Sequence, residues 1–345
     1  MIGLSTALEL GRAGAKCYLY GALHHGTASG AAAGLLAPSI GNLPTPVQKF
    51  FAASLARYPE FVSDLRAFEP KLKLIEGLLD VSTQTAERDA RVGERLSREE
   101  VEAKDPAVFA PHGAVFHPRD AAIDNRLLVH ALRRAVASFL SVTMVDDDPV
   151  TMIDLSGSTA ALRTRDGARI EADRIVLAAG AWSATIEGVP RRIPVRPLKG
   201  QMLAVAGPPL RHAVMGDEMY LVPRDGEIAI GATVEEAEFD LTIDPGAIER
   251  LRQAAIRVCP SLRDAPVLRT WAGIRPATPD MLPILGAEPK DERLIYACGH
   301  SKNGILLAPA TALAIADLAL DRPSRFDLTP FRADRFSVDS VGDKP

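Results

Sequence analysis

Residues 297–312 read ACGHSKNGILLAPATA. An apolar run, Leu294, Ile295, Tyr296 and Ala297, leads into the small polar turn Gly299-His300-Ser301-Lys302-Asn303-Gly304 and then into a long apolar segment. The pattern predicts strand, turn and helix. Two glycines let a backbone pass close to a planar or charged ligand. A helix starting at about Asn303 would aim its free N–H groups and positive dipole end at that ligand. The ends of strands are where α/β folds hold cofactors. Taken alone, such a turn also describes a plain loop before a C-terminal core helix, and the rest of the chain decides between the two.

At the other end, Ile2, Leu4, Ala7, Leu8 and Leu10 form a helical apolar stripe that Gly11 and Gly14 close, and residues 15–20 (AKCYLY) read as a short buried strand. This is the second half of a strand–helix–strand unit. In the fingerprint G-x-G-x-x-G the third glycine lies where helix and strand pack closely, and Gly3 takes that place. Only Met1 and Ile2 precede it. The first strand and first two glycines are therefore missing from the pattern, either because the start codon is placed too late or because the chain lacks that strand. Where an acidic residue would grip ribose hydroxyls the sequence has Tyr20-Gly21-Ala22, and His24 and His25 read as solvated loop residues. Residues 27–38 (TASGAAAGLLAP) are too small to fill a core by themselves. Their use is to let backbone approach a bulky partner, with Leu35 and Leu36 as anchors.

A chain of 345 residues buries a substantial core and suggests two lobes. Net charge is −4 and no basic block of five or more residues occurs, which disfavours nucleic acid as a partner. Cys17, Cys259 and Cys298 are far apart and odd in number, so a disulfide framework or metal cluster is not expected. The start lacks a basic signal-peptide region, and no apolar run approaches the roughly 20 residues of a membrane span. A reducing cytoplasm is the expected compartment.

Between the ends, residues 46–68 read as one helix carrying Phe50, Phe51, Leu55, Phe61, Leu65 and Phe68. Residues 72–83 read as strands, 85–98 as charged surface, and Ser97 with Glu100 as a capping box for a short helix ending at Asp105-Pro106. A short strand at 114–118 precedes a helix capped by Asp124 or Asn125 and running to 139. A strand at 142–145, a hairpin over 152–170 with Asp166-Gly167 at its tip, and a fully buried strand at 173–179 follow. The last leads into Gly180-Ala181-Trp182-Ser183, a second strand–glycine turn. From about Pro194, residues 195–205, 220–223 and 227–233 suggest an antiparallel sheet, followed by a helix over 245–258 and a strand over 267–274. Arg275 then precedes a proline turn. It is either paired to a carboxylate of the protein or placed for a carboxylate of a ligand.

Seven stretches, IGLSTALELGRAGA, ASGAAAGLLAP, RIVLAAGAWS, RPLKGQMLAV, YLVPRDGEIAIGAT, TWAGIRPATPD and ACGHSKNGILLAPATA, in this order resemble the FAD-dependent D-amino acid oxidase superfamily. The likeness extends to about Pro323 and is greatest to the glycine oxidase branch, which serves thiamin biosynthesis. It implies an α/β (α+β) two-lobe fold, with a Rossmann-like FAD-binding lobe of glutathione-reductase type and a substrate lobe on an antiparallel sheet. The FAD-binding lobe would comprise residues 1–45, 115–193 and 265–325, and the substrate lobe 46–114 and 194–264. Residues 326–345 would be a tail that wraps the surface and frays. The implied activity is oxidation of the CH–NH bond of a small amino acid or secondary amine (glycine, sarcosine or a D-amino acid) by hydride transfer to the flavin, with O₂ or another electron acceptor. The alternatives are a dehydrogenase using a quinone or carrier, and a degenerate flavoprotein without activity. A homo-oligomer is compatible with all three.

Carried over residue by residue, the resemblance places Met1, Ile2 and Gly3 at the FAD pyrophosphate. Ala28, Ser29, Ala33, Gly34 and Leu35 follow the flavin and ribityl, and Val150 touches the adenine through its backbone. Gly180 and Trp182 close the pocket. Met281 with His300, Ser301, Lys302, Asn303, Gly304, Ile305 and Leu306 lines the isoalloxazine. Arg275 and Tyr220 match the residues that hold the substrate carboxylate. No protein base is implied. Lys302, Glu218 and Val234 depart from the arginine, histidine and methionine common there; Glu218 and Lys302 either pair with each other or receive an extra polar group of the substrate.

Overall fold

The computed structural model describes residues 1–21, 24–40, 43–82 and 93–336. Most of the charged stretch 85–98 and the end of the expected tail, 337–345, lie outside the described residues.

Helix α1 (Ile2–Arg12) buries Ala7, Leu8 and Leu10 and is followed by strand β1 (Cys17–Tyr20). Gly14, at φ +74°, makes the turn between them. A four-residue helix α2 (Ala28–Ala31) and the two-residue strand β2 (Leu35–Leu36) come next. The expected single helix over 46–68 is two, α3 (Thr45–Ala56) and α4 (Tyr58–Leu65). Pro59 cannot continue the ladder of α3, but it fits the first turn of a new helix, where its missing N–H has no cost.

Strands β3 (Leu74–Asp80) and β4 (Glu94–Leu96) precede α5 (Arg98–Lys104). The predicted capping box opens α5: Ser97 Oγ accepts from the Glu100 N–H at 3.2 Å, and the Glu100 carboxylate accepts from the Ser97 N–H at 2.7 Å. Strand β5 (Ala114–Ile123) is longer than the expected 114–118, because Pro118, Arg119 and Asp120 are extra residues opposite Gly77. A proline is tolerated at such a bulge, where no ladder N–H is needed. Asp124 caps α6 (Asn125–Ala137), and β6 (Val142–Val145) follows.

In place of the expected hairpin there is a three-stranded meander, β7 (Val150–Asp154), β8 (Ala160–Thr164) and β9 (Arg169–Ala172), in which Asp166-Gly167 turns only β8 into β9. Strand β10 (Ile175–Leu177) runs into a 3₁₀ turn at Gly180–Thr185. Then come β11 (Arg196–Val205), β12 (Ala213–Met215), β13 (Tyr220–Arg224), β14 (Glu227–Gly231) and α7 (Pro245–Val258), whose bounds agree with the sequence reading. The chain closes with β15 (Val267–Ala277), β16 (Ile284–Glu288), β17 (Asp291–Cys298) and α8 (Ala308–Ala319).

The largest sheet has the order β15-β11-β14-β13-β12-β3-β5-β2, with β4 also paired to β5. Its β11–β14, β13–β14 and β11–β15 pairs are antiparallel, as expected. It also takes up β2, β5 and β15, so strands from distant parts of the sequence share one surface. Two parallel pairs, β1 with β6 and β10 with β17, belong to separate sheets. Helix α1 spans them: a side chain on Gly3 would meet Leu19 Cδ1 at 3.4 Å and Ala178 Cβ at 3.7 Å. Strand β1 is not buried as its composition suggested, and Tyr18 is 45% exposed. Its second edge has no strand partner among the described residues and borders the cavity described below. No helix among the described residues is long and apolar enough to cross a membrane.

The tail expected to fray is packed as far as Phe336. Phe331 is fully buried with its ring 4.9 Å from Phe50, Phe326 meets the same ring at 5.3 Å, and Arg335 pairs with Asp280 at 2.8 Å. Aromatic rings spaced beyond the last helix carried that signal, which the prolines at 323 and 330 masked. Phe331→Ala is expected to destabilise the fold by about 3–5 kcal/mol, read as a lower urea midpoint with an unchanged slope. A shift inside error would mean that the tail is not part of the core.

Candidate active site

A cavity of about 1880 Å³ runs from the start of α1, past β1 and β10, to the ends of β11, β13 and β15. Single drug-sized ligands occupy roughly 300–1,000 Å³, so this space suits an elongated molecule together with a second, smaller one. Of the residues singled out from the sequence, all except Leu306 line it. Leu306 turns into the core and is 2% exposed.

Several stretches of its wall are backbone made accessible by small residues. The first turn of α1 has no side-chain cap and no acidic residue, so its N–H groups face the cavity unblocked. Gly180 has φ +59° and nothing within 4 Å of where a side chain would start. In the 299–307 turn, Gly299 (φ +70°) and Ser301 (φ +50°) bend the chain, and the Ser301 N–H donates to Pro276 O at 2.9 Å. The regular helix begins at Ala308, not near Asn303, with Pro309 in its first turn. Residues 303–307 form a separate turn instead. Tyr58 Oη donates to Ile305 O, and Ser54 Oγ to Leu306 O at 2.7 Å.

Residues 29–33 are held in the same manner. Asn125 Nδ2 donates to Ser29 O at 2.7 Å and to Gly30 O at 3.1 Å, and Trp271 Nε1 to Ala31 O at 2.8 Å. Arg224 Nη2 donates to Ala32 O at 3.0 Å and to Ala33 O at 3.2 Å. The sequence reading missed Asn125, Arg224, Trp271, Ser54 and Tyr58 as parts of the site. The available signal was an arginine inside an otherwise apolar strand.

Arg275 is inside β15, opposite Leu198, and not beyond its end. Its Nη1 donates to Lys199 O at 3.2 Å and Thr233 O at 3.0 Å, and its guanidinium lies on Gly200, where a side chain would come within 2.4 Å of both Nη atoms. No carboxylate lies within ion-pair distance of it among the described residues. Of the two readings, pairing within the protein is thus not what the fold shows. Tyr220 faces the same guanidinium, and burial raises its phenol pKa. The neighbouring cation is neutralised: Lys199, 5% exposed, pairs with Asp240 at 2.9 Å.

Glu218 pairs with Arg257 and not with Lys302, which is exposed at the rim. Val234 is also a rim residue, 68% exposed. His24, read as a solvated loop residue, stacks on Trp182 at 4.1 Å, and Trp182 stacks on Phe239 at 5.2 Å. Composition alone gave no sign of this three-ring wall. Burial pushes the Cys298 thiol up to about 12, so it is not a reactive thiolate. No group of metal-ligating side chains occurs among the described residues.

Over residues 1–318 the chain matches the family described as DAO: FAD dependent oxidoreductase. The chain belongs to this family. It is 35% identical to the bifunctional protein ThiO/ThiG of Trichormus variabilis, over 97% of its own length and 54% of that protein, so it spans about half the length of that relative. It is 31% identical to the glycine oxidase of Geobacillus kaustophilus over 97% of this chain and 94% of that one. The crystal structure of glycine oxidase from Geobacillus kaustophilus superposes with a TM-score of 0.87, at 29% identity, covering 97% and 96% of the two chains. Iminodiacetate oxidase from Chelativorans sp. BNC1 gives 0.86 at 27% identity, covering 96% of each.

The residues present fit the FAD that this family uses. Uncapped N–H groups at α1 suit a pyrophosphate, and backbone left open by small residues at Gly180, 28–34, Gly299 and Gly304 admits flat rings at close range. Next to this surface, burial pushes the His300 imidazole down to about 3, while its Nε2 is 3.2 Å from Thr311 Oγ1. His300 is thus neutral at ordinary pH. An unfolded histidine takes up a proton near 6.5, so this group weakens the fold as pH falls from about 6.5 toward about 3. The His300 ring carbon NMR shifts are expected to stay flat between pH 5 and 8; a titration in that window would contradict the burial argument.

Proposed function

We propose that this chain oxidises the carbon–nitrogen bond of a small amino acid or secondary amine that carries a carboxylate one carbon from the nitrogen. The observation that carries this reading is Arg275, unpaired by any protein carboxylate among the described residues, flat on Gly200 and faced by Tyr220. A bidentate guanidinium with a phenol beside it matches a carboxylate in charge and shape. The glycine oxidase and iminodiacetate oxidase relatives point the same way, since glycine and iminodiacetate share an amine one carbon from a carboxylate.

In this reading Met1, Ile2 and Gly3 hold the pyrophosphate of FAD, and Val150 borders its adenine. Ala28, Ser29, Ala33, Gly34 and Leu35 follow the ribityl and ring system, Gly180 and Trp182 close over it, and Met281 with His300–Ile305 line the ring. When bound, FAD supplies a two-electron acceptor for the substrate's Cα–H bond. Arg275 and Tyr220 hold the carboxylate, which leaves the Cα–H as the group to be aimed. The gain is positional: a bound near-attack geometry replaces an encounter. An amine that enters as the free base needs no protein base, because its own lone pair drives the oxidation. Oxygen is the proposed electron acceptor, with hydrogen peroxide as product, and oxygen uptake during turnover is its direct check.

Each charge-assisted hydrogen bond to a carboxylate is worth about 1.5–3 kcal/mol. Arg275→Met is therefore expected to lower kcat/KM for an active amino acid by about 10²-fold or more, and to change little for the matching amine without a carboxylate. Equal losses on both substrates would contradict carboxylate binding at Arg275.

A further inference from the structure

Residues 28–34 carry no side chain larger than a hydroxymethyl group. Such a segment cannot be fixed by packing its own side chains, and its short helix α2 leaves its terminal carbonyls without helical partners. Five consecutive carbonyls, Ser29 to Ala33, are nonetheless each bonded, by Asn125, Trp271 and Arg224. Arg224 Nη2 also donates to Asn125 Oδ1 at 2.7 Å, which turns the amide so that its NH₂ faces the segment. Behind them, Glu227 pairs with Arg224 at 3.4 Å, Arg126 at 3.0 Å and Arg269 at 2.5 Å, and the Arg269 guanidinium lies 4.3 Å over the Trp271 ring. The Arg224 side chain is 1% exposed. A buried arginine that donates to three oxygens of two segments is committed to their placement.

The same strands carry the carboxylate anchors. Tyr220 and Arg224 are four residues apart on β13, and Trp271 and Arg275 four apart on β15, so each pair shares one sheet face at a spacing of about 13 Å. The segment is also joined to β15 beside Arg275: the Ile274 N–H donates to Gly26 O at 2.8 Å. On Gly273 a side chain would come within 2.2 Å of Ala31 Cβ, so strand and segment are in direct contact.

Resting on the reading of the preceding section, we infer that Arg224, Asn125 and Trp271 are positioning residues that fix the flavin-facing segment 28–35 relative to Arg275 and Tyr220. They set the separation between cofactor and substrate without touching either reacting group. The sheet acts as a ruler, with a substrate anchor and a cofactor clamp at two marks on each of two strands.

The test uses the full chain with two variants. Arg224→Lys keeps the charge, but one ammonium nitrogen cannot pair with Glu227 while a second serves Ala32, Ala33 and Asn125, as Nη1 and Nη2 do. Trp271→Phe keeps an aromatic side chain but loses the N–H donor to Ala31 and part of the ring area under Arg269. Amide hydrogen exchange is measured first on flavin-free protein, and then anaerobic flavin reduction is followed with an active amino acid. In both variants exchange over residues 28–36 is expected to rise about tenfold or more, with that of α7 and α8 unchanged. The limiting rate of flavin reduction is expected to fall by about 10²-fold in Arg224→Lys, and less in Trp271→Phe. The apparent substrate Kd should stay within about threefold, because Arg275 and Tyr220 are intact. A general loss of stability would instead raise exchange everywhere and leave the reduction rate of the folded fraction unchanged, which would overturn the inference. Faster local exchange with an unaltered reduction rate would also overturn it. A parent protein that takes up no FAD would contradict the cofactor reading itself, and is told apart by the absence of flavin absorbance before either variant is compared.

Discussion

Backbone held by its carbonyls is the constraint on which this architecture depends. A surface that must come close to a large planar ligand can carry few side chains, and residues 28–34, all glycine, alanine and serine, have nothing of their own to pack. The fold fixes them from behind, through buried donors that satisfy carbonyls which would otherwise be stranded. Ser54 and Tyr58 do this for the 305–306 turn, and Asn125, Trp271 and Arg224 for residues 29–33. The donors come from α3, α4, α6, β13 and β15, so the two cavity-facing loops depend on elements far apart in the sequence.

Electrostatics divides the basic residues near the site by what they face. Lys199 is neutralised by Asp240, and Arg224 shares Glu227 with two other arginines. Arg275 is treated differently: carbonyls of Lys199 and Thr233 orient it, and no protein carboxylate among the described residues neutralises it. Leaving a half-buried guanidinium oriented but unneutralised is costly unless a ligand completes it. That difference sets Arg275 apart from the structural arginines and supports the proposal that it anchors a substrate carboxylate.

Much of this was legible in the sequence where a local rule had a single physical cause. The capping box at Ser97, the bounds of α7 and the strand–glycine turns at 180 and 299 followed from hydrogen-bond chemistry and glycine's conformational range. The cavity-lining residues were legible because small residues at the ends of strands have few other uses. What stayed hidden was tertiary. The long β5 with its bulge and the edge of β1 that has no strand partner among the described residues depend on neighbours that no window of sequence contains. The packed rings of Phe326 and Phe331 were hidden by flanking prolines. The donors behind the loops were hidden because a buried arginine, a tryptophan N–H and an asparagine amide each look like ordinary core or surface choices until their acceptors are known. The suggested pairing of Glu218 with Lys302 failed for the same reason, since Arg257 on α7 reaches Glu218 in the bend between β12 and β13.

The most direct test is the visible absorbance spectrum of the purified chain after addition of FAD, recorded anaerobically before and after glycine, sarcosine, D-alanine and D-proline in turn. The account predicts a bound flavin spectrum that bleaches with at least one of these amino acids and returns on admission of air. A flavin that binds and is reduced by none of them, while amines lacking a carboxylate do reduce it, would contradict the assignment of Arg275 and Tyr220 as the anchors of an amino acid substrate.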